Sequence, residues 1–247
     1  MLCIQNSHTD PYFNVAAEEF LFKHMANEAI FLMWQNKPSV IIGKHQDVNR
    51  EVNLDFARKK QIKVVRRISG GGAVYHDLGN INLSFMENSD NANFDKFSNK
   101  MINFLQTIGI DAQSDERRGL TIDGLKISGS AQYIYKNKAL FHASLLFSSD
   151  LTTLEAVLNS RLQQPAEQDK VYVHSVKSPV TNISEHLLHP LSIETFKQLI
   201  MQYFTNNPDY SGYTFNPKEL KEIDDLKNQK YSTASWNFGE IQPAIPT

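Results

Sequence analysis

The stretch Val64-Val65-Arg66-Arg67-Ile68-Ser69-Gly70-Gly71-Gly72-Ala73-Val74-Tyr75-His76-Asp77 stands apart from the rest of the chain. Inside any regular element each of its three consecutive glycines costs about 0.5–1 kcal/mol relative to alanine. What they permit is positive φ and close backbone approach. Residues 62–68 read as a strand that delivers this loop, which can then aim several N–H groups at one anion. Arg66 and Arg67 alternate across the strand, so at most one of them faces the loop's site. That one offers a forked, permanently charged donor for a phosphate or carboxylate. A flexible turn with solvated arginines is the competing reading, and the flanking Tyr-His-Asp weighs against it. The glycines lack the G-x-G-x-x-G spacing, so a Rossmann pyrophosphate site is not supported.

Outward from the loop, residues 29–34 and 39–43 read as buried strands before it and residues 80–85 as a strand after it. Residues 2–4 read as an edge strand. Asn14 reads as the N-cap of a first helix carrying Val15, Phe20, Leu21 and Phe22, and Asn53 as the cap of a short helix through Lys60. Phe97, Met101, Phe104, Leu105 and Ile108 recur at helical spacing, and Gly109 suits a left-handed stop. Asp123-Gly124 is a two-residue hairpin turn. A second hairpin turns at Lys136-Asn137-Lys138. Ser192 caps a helix bearing Ile193, Phe196, Leu199, Ile200 and Tyr203. Asn216-Pro217-Lys218-Glu219 joins a cap, a first-position proline and a capping-box glutamate. Helices mix with hairpin-linked strands and no linker or repeat divides them, so the chain reads as one α+β domain.

A second cluster is Asp123-Gly124-Leu125-Lys126-Ile127-Ser128-Gly129-Ser130-Ala131-Gln132. Leu125 separates Gly124 from Lys126 and a strand follows, so it is not a P-loop. Period two puts Lys126, Ser128 and Ser130 on one face, opposite Leu125 and Ile127. A lysine projecting from a sheet is costly to bury without an anionic partner. His142 falls on the face opposite Phe141, Ala143, Leu145 and Phe147, a position commoner for hydrogen-bonded structural histidines than for catalysts.

Composition narrows the classes. The chain has 247 residues, 41% hydrophobic and 21% charged, enough for a true core. Its net charge of −2 gives no basic excess for a polyphosphate backbone. The single Cys3 forbids an internal disulfide and a zinc–thiolate site, and no histidine spacing marks a metal. The apolar runs fall far short of the ~20 residues a membrane span needs. A cytoplasmic location is expected, with no nucleic-acid or membrane partner.

Taken together these residues resemble the lipoate–protein ligase A family, which shares its catalytic fold with biotin ligases. The likeness runs through Pro11 to Glu19, Val40 to Gln46, Arg66 to Asn80 and Lys126 to Ala131. It continues with Phe141-His142, Ser178 to Asn182 and Trp236-Asn237-Phe238-Gly239. It implies mixed β-sheets flanked by helices, with residues 1–247 forming a single catalytic domain. It also implies ATP-dependent activation of lipoate to lipoyl-AMP, then transfer to a lysine of an apo lipoyl domain. By motif position Lys126 matches the family's essential lysine, contacting both lipoate and nucleotide. Arg67 matches its ATP-binding arginine, and Gly72, Ala73, Val74 and Tyr75 its nucleotide loop. Ser69, Gly70, Gly71 and His76 are expected to line the same pocket, joined by His142. Mg²⁺ arrives with ATP, held by phosphates and waters, with no protein metal ligands. The implied acceptors are the lipoyl domains of 2-oxoacid dehydrogenase acyltransferase subunits and the glycine cleavage H protein.

The sequence departs from the family in two places. Many members continue into an accessory domain, whereas this chain stops eight residues after Gly239. A separate accessory subunit, a dispensable one, or a chain limited to the transfer step would each accommodate that. The family also commonly carries an acidic residue just before the lysine hairpin, where Arg117-Arg118-Gly119 stands, so a metal or phosphate contact is expected to be lost. The alternative function is a lipoyl or octanoyl transferase using a preformed donor. Octanoyl transferases of this superfamily typically show Gly-Gln after the Tyr-His pair, whereas Asp77-Leu78-Gly79-Asn80 follows the ligase pattern.

Overall fold

A computed structural model describes residues 1–24, 28–159, 173–206 and 210–239. Its elements, in chain order, are β1 (Leu2–Gln5), α1 (Pro11–His24), β2 (Ile30–Trp34), β3 (Ser39–Ile42), α2 (Val48–Glu51), α3 (Leu54–Lys59), β4 (Lys63–Arg66), β5 (Val74–His76), β6 (Asn80–Asn88) and α4 (Phe94–Thr107). There follow β7 (Gln113–Ser114), β8 (Leu120–Ile122), β9 (Leu125–Tyr135), β10 (Lys138–Leu146), α5 (Leu151–Val157), α6 (Ile193–Thr205), β11 (Ser211–Gly212), α7 (Pro217–Leu226) and α8 (Ala234–Phe238). The strands form an eight-stranded mixed sheet, β11-β1-β2-β6-β10-β9-β8-β7, and a three-stranded sheet, β4-β3-β5.

Side-chain alternation divides the interior into layers. One face of the large sheet sends Phe31, Leu83, Phe85, Phe141 and Leu145 against Phe97, Met101 and Phe104 of α4 and Phe196, Ile200 and Phe204 of α6. The other face sends Ile30, Leu32, Trp34 and Leu140 against α1 and against Ile41 and Val65 of the small sheet. Behind the small sheet, Val40, Ile42, Val64 and Tyr75 pack on Val48, Ala57 and Val157. The two sheets therefore face each other, and the functional cleft opens between them. Among the described residues no helix is long and apolar enough to cross a membrane.

Local chemistry explains most boundaries. Asp123 and Gly124 take φ of 50° and 80°, the left-handed pair that a tight hairpin requires. Asn53, Ser192 and the Asn216–Glu219 capping box close the N-termini of α3, α6 and α7. Gly109, at φ 82°, follows α4.

Three expectations need correcting. Asn14 does not cap α1; Pro11 starts the helix one turn earlier, and Asn14 N–H already donates to Asp10 O within it. β1 is not an edge, because β11 pairs in parallel on its far side. Lys126, Ser128 and Ser130 do not share a face. Thr121 pairs with Lys126 but Leu120 pairs with Ser128, so Ile127 is the extra residue of a bulge. Beyond it the alternation inverts. Ser128 and Ser130 lie opposite Leu145 and Ala143 of the α4–α6 core, whereas Gly129 and Ala131 lie opposite Ser144 and His142 on the cleft face.

The Trp-Asn-Phe-Gly motif anchors α8. Arg66, on the outer face of β4, donates to the carbonyls of Gly43, Lys44, Gln46, Trp236 and Asn237, while Trp236 Nε1 donates back to Arg66 O.

Phe85 packs at tilted angles amid Phe31, Phe97 and Phe204, with ring centroids 5.1–5.4 Å away. Phe85→Ala is expected to cost about 3–5 kcal/mol. Urea denaturation should show this as a lower midpoint at unchanged slope; a shift worth under 1 kcal/mol would mean these layers are not the main core.

Candidate active site

The cleft between the sheets encloses about 960 Å³, bordered by Trp34, Gly71 to His76, Lys126, Gly129, His142 and Ser144. Parity along β4 and beyond sends Arg66 outward and Arg67 inward, as alternation requires. Arg67 is buried, lines the cleft, and gives most of its donors to the loop and to β3. Nη2 donates to Gly70 O at 2.6 Å and Gly72 O at 2.8 Å, Nη1 to Ile41 O, and Nε to Ser69 Oγ at 2.9 Å.

This geometry fixes the loop's other side. In a planar trans peptide the carbonyl and the following N–H point in opposite directions. With the carbonyls of Gly70 and Gly72 drawn onto Arg67, the N–H groups of Gly71 and Ala73 are turned away from it, towards the cleft. Ala73 N–H meets Ser175 Oγ at 2.8 Å. Glycine is required at two places here. Gly71 sits at φ 86°, and a Cβ on Gly43 would lie 2.1 Å from Gly71 O.

Behind Ser69 runs a buried polar chain. His142 Nε2 lies 2.8 Å from Ser69 Oγ, and His142 Nδ1 lies 2.9 Å from Glu18 Oε1. Ser84 Oγ donates to Glu18 at 2.6 Å and itself accepts from Trp34 Nε1 at 2.9 Å. Burial disfavours the Glu18 carboxylate, but His142, Ser84 and Arg67 outweigh it and hold its pKa below the ordinary range. Burial, only partly offset by Glu18, pulls Arg67 down to about 10, still protonated at neutral pH.

Lys126 projects from β9 onto the cleft face with about a quarter of its side chain exposed, and its Nζ lies 4.0 Å from Asp115 Oδ2. A carboxylate does stand beside the lysine, on the loop after β7, two residues before the Arg117-Arg118 pair. Asp115 is held there by Arg117 and Gly119 N–H donating to its Oδ1. A methyl group built on Gly129 would lie 3.7 Å from Val74 Cγ1 and 3.9 Å from Lys126 Cε, so this glycine leaves the space that separates the lysine from the start of β5.

Of the residues singled out in the sequence, Arg67, Gly71, Gly72, Ala73, Val74, His76, Lys126 and His142 line the cleft together. Ser69 and Gly70 stand behind the loop as partners of Arg67 rather than in its wall. Tyr75 borders the cleft, but its ring belongs to the outer core, where burial and then Asp77 and Asp150 push its phenol pKa up. Sequence reasoning missed Glu18, Trp34, Asp115, Gly129 and Ser175. Glu18 and Gly129 had a readable signal, their places in the Pro11 to Glu19 and Lys126 to Ala131 stretches. Among the described residues no group of three or more His, Cys, Asp or Glu side chains is placed to hold a metal ion.

Residues 10–205 match the family model of the lipoyl protein ligase A/B catalytic domain. Lipoate–protein ligase 1 of Staphylococcus aureus is 39% identical over 238 residues, 95% of this chain and 72% of that protein. A Thermoplasma acidophilum protein with bound lipoic acid superposes with a TM-score of 0.79 at 28% identity, covering 96% of this chain and 98% of its own. A lipoate–protein ligase A bound with ATP gives 0.79 at 27%, covering 98% and 100%. A bipartite lipoate protein ligase from T. acidophilum, studied with its E2 lipoyl domain, gives 0.79 at 27%, covering 99% and 98%.

Because its lowered pKa favours the ionised form in the folded protein, Glu18 contributes stability that is complete above the ordinary carboxylate pKa. That contribution fades as pH falls through the lower folded-state value. Glu18→Gln is thus expected to be less stable than wild type at pH 7 by about 1–3 kcal/mol. The gap should close as urea titrations step down through pH 4 towards pH 3; a pH-independent gap would contradict this account.

Proposed function

The chain belongs to the lipoyl protein ligase A/B catalytic-domain family, and from that premise we propose that it joins lipoate to acceptor proteins at the expense of ATP. In the first step the lipoate carboxylate attacks the α-phosphorus and pyrophosphate leaves, giving lipoyl-AMP. In the second, the ε-amine of an acceptor lysine attacks the acyl carbonyl. The C–O bond to AMP breaks, an amide forms, and the amine's proton is released.

The observation that carries this reading is that Lys126 and the Gly71–Ala73 loop line one cleft. Two anions must approach for the first step, and an ammonium between them offsets their repulsion and the charge spread over the transition state. A compact ammonium with rotatable donors suits that bridging better than a planar guanidinium. Lys126 stays mobile enough to bridge, since its ion pair with Asp115 is long. The amides turned out by Arg67 suit the nucleotide's phosphates, with Ser175 Oγ giving way at Ala73. Arg67 aims the loop, and its place in the cleft lining is in keeping with a part in binding the nucleotide.

The acyl chain has one natural course. Gly129, Ser144, Asn82 and Trp34 are cross-strand neighbours on β9, β10, β6 and β2, a row of three strand spacings, roughly 14 Å. With its carboxylate at Lys126, lipoate laid along that row ends its apolar tail against Asn82, Trp34 and Val15. Asp115 is the carboxylate beside Lys126, which fits a Mg²⁺ carried in on the nucleotide phosphates and does not fit a resident ion. The acceptors this chemistry serves are lipoyl domains of 2-oxoacid dehydrogenase acyltransferase subunits and the H protein of glycine cleavage, each presenting its lysine on an exposed turn.

The test is to incubate the protein with ATP, lipoate and an apo lipoyl domain, and in parallel with synthetic lipoyl-AMP, reading the acceptor's mass. Modification in both arms is expected, and Lys126→Ala should lower the ATP-dependent rate by about 10²–10³. Modification from lipoyl-AMP alone would remove the activating step and leave a transferase. An undiminished Lys126→Ala variant would remove Lys126 from the chemistry.

A further inference from the structure

His76 stands on the cleft wall where the groove ends, its ring edge-on to Trp34 with centroids 5.9 Å apart. Its Nδ1 lies 3.1 Å from Asn36 Nδ2. Nδ1 is engaged on the Asn36 side and the ring lines the cleft, and among the described residues no hydrogen bond is made by Nε2. Burial first, then Arg67 and His142, drives the His76 pKa down to about 3. The ring therefore carries one proton at neutral pH, and which nitrogen holds it decides whether the cleft meets a donor or an acceptor.

The surrounding amides settle the matter by elimination. Asn14 Nδ2 lies 2.9 Å from His8 O and 2.7 Å from Gln35 O, and two backbone carbonyls can only accept, so the amide nitrogen of Asn14 must face them. The same nitrogen lies 2.8 Å from the Asn36 side chain; an NH₂ there would set two donors face to face, so Asn36 presents its oxygen and shares one of the two hydrogens with a carbonyl. Asn36 is left with its NH₂ against His76 Nδ1, which has to accept. The far end agrees. His8 N–H donates to Asn6 Oδ1, leaving Asn6 Nδ2 to donate to Asn14 Oδ1. Every orientation in the chain is forced from the backbone.

We propose that Asn14 and Asn36 are positioning residues that lock His76 as its Nε2–H tautomer, a fixed neutral donor at the inner end of the acyl groove that selects a tail bearing a hydrogen-bond acceptor. The selection rests on the lipoate reading above; the lock does not. A dithiolane sulfur is a weak acceptor, whereas a plain alkyl tail offers none and leaves the donor unpaired. The lock thus favours lipoate over octanoate. Asn36→Leu removes it without adding charge and leaves Asn14 satisfied by its two carbonyls. His76→Gln keeps a donor, because its oxygen can accept from Asn36 while its NH₂ faces the cleft.

The experiment pairs two readouts. In ligand-free protein labelled with ¹⁵N-histidine, long-range ¹H–¹⁵N spectra report each ring's tautomer, the His76 signals being those lost in His76→Gln. Wild type should show a protonated Nε2 and a bare Nδ1, and Asn36→Leu an averaged pair. The lipoate-to-octanoate ratio of kcat/KM should fall about threefold in Asn36→Leu and stay near wild type in His76→Gln. A wild-type proton on Nδ1 overturns the lock. A mixed tautomer in Asn36→Leu with an unchanged ratio overturns its role in selection. A wild type that turns over neither acid would sink the functional reading while leaving the tautomer assignment standing.

Discussion

The buried guanidinium of Arg67 is the constraint from which the site follows. A charge taken out of water must be paired and hydrogen-bonded, or it costs several kcal/mol. Here Glu18 supplies the countercharge through space, while the hydrogen bonds go to Ile41 O, Gly70 O, Gly72 O and Ser69 Oγ. A run of three glycines has no intrinsic shape, and these bonds give it one. They also dictate which amides look into the cleft, so one side chain converts a flexible sequence into an oriented anion cradle. Arg66 repeats the device on the opposite face of the strand, gathering the carbonyls of 43–46 and of α8, so the loop is held from both sides.

Much of this was legible in the sequence because the signals were local. The Asp123-Gly124 turn, the caps at Asn53 and Ser192, the Asn216–Glu219 box and the outward–inward split of Arg66 and Arg67 each depend on a few adjacent residues. What was not legible depends on distant partners. Asn14 has the chemistry of a cap, but Pro11 opens the helix first and the amide is drawn instead to Gln35 O and Asn36. The face of Ser128 turns on a single extra residue, Ile127, whose bulge is decided by how β8 and β9 meet. Asp115 reaches Lys126 from eleven residues away through an Asx turn, so reading only the residues next to the hairpin found arginines and missed the carboxylate.

The polar groups divide by how firmly they are held. The chain from Trp34 through Ser84, Glu18 and His142 to Ser69 and Arg67 joins β2, β6, α1, β10 and the loop. Such a network stabilises only when every member is paired, because a half-satisfied one in low dielectric is worse than an apolar core. None of its members can swing to follow a reacting group without orphaning another. Lys126 is held differently, by one contact at 4.0 Å from a carboxylate that is itself partly exposed. The rigid groups suit the recognition of an unchanging shape, and the loosely held ammonium suits a charge that moves from carboxylate to phosphate during reaction. Preorganised dipoles around one adjustable cation make the smaller reorganisation demand on the transition state, which is where such a site gains its rate.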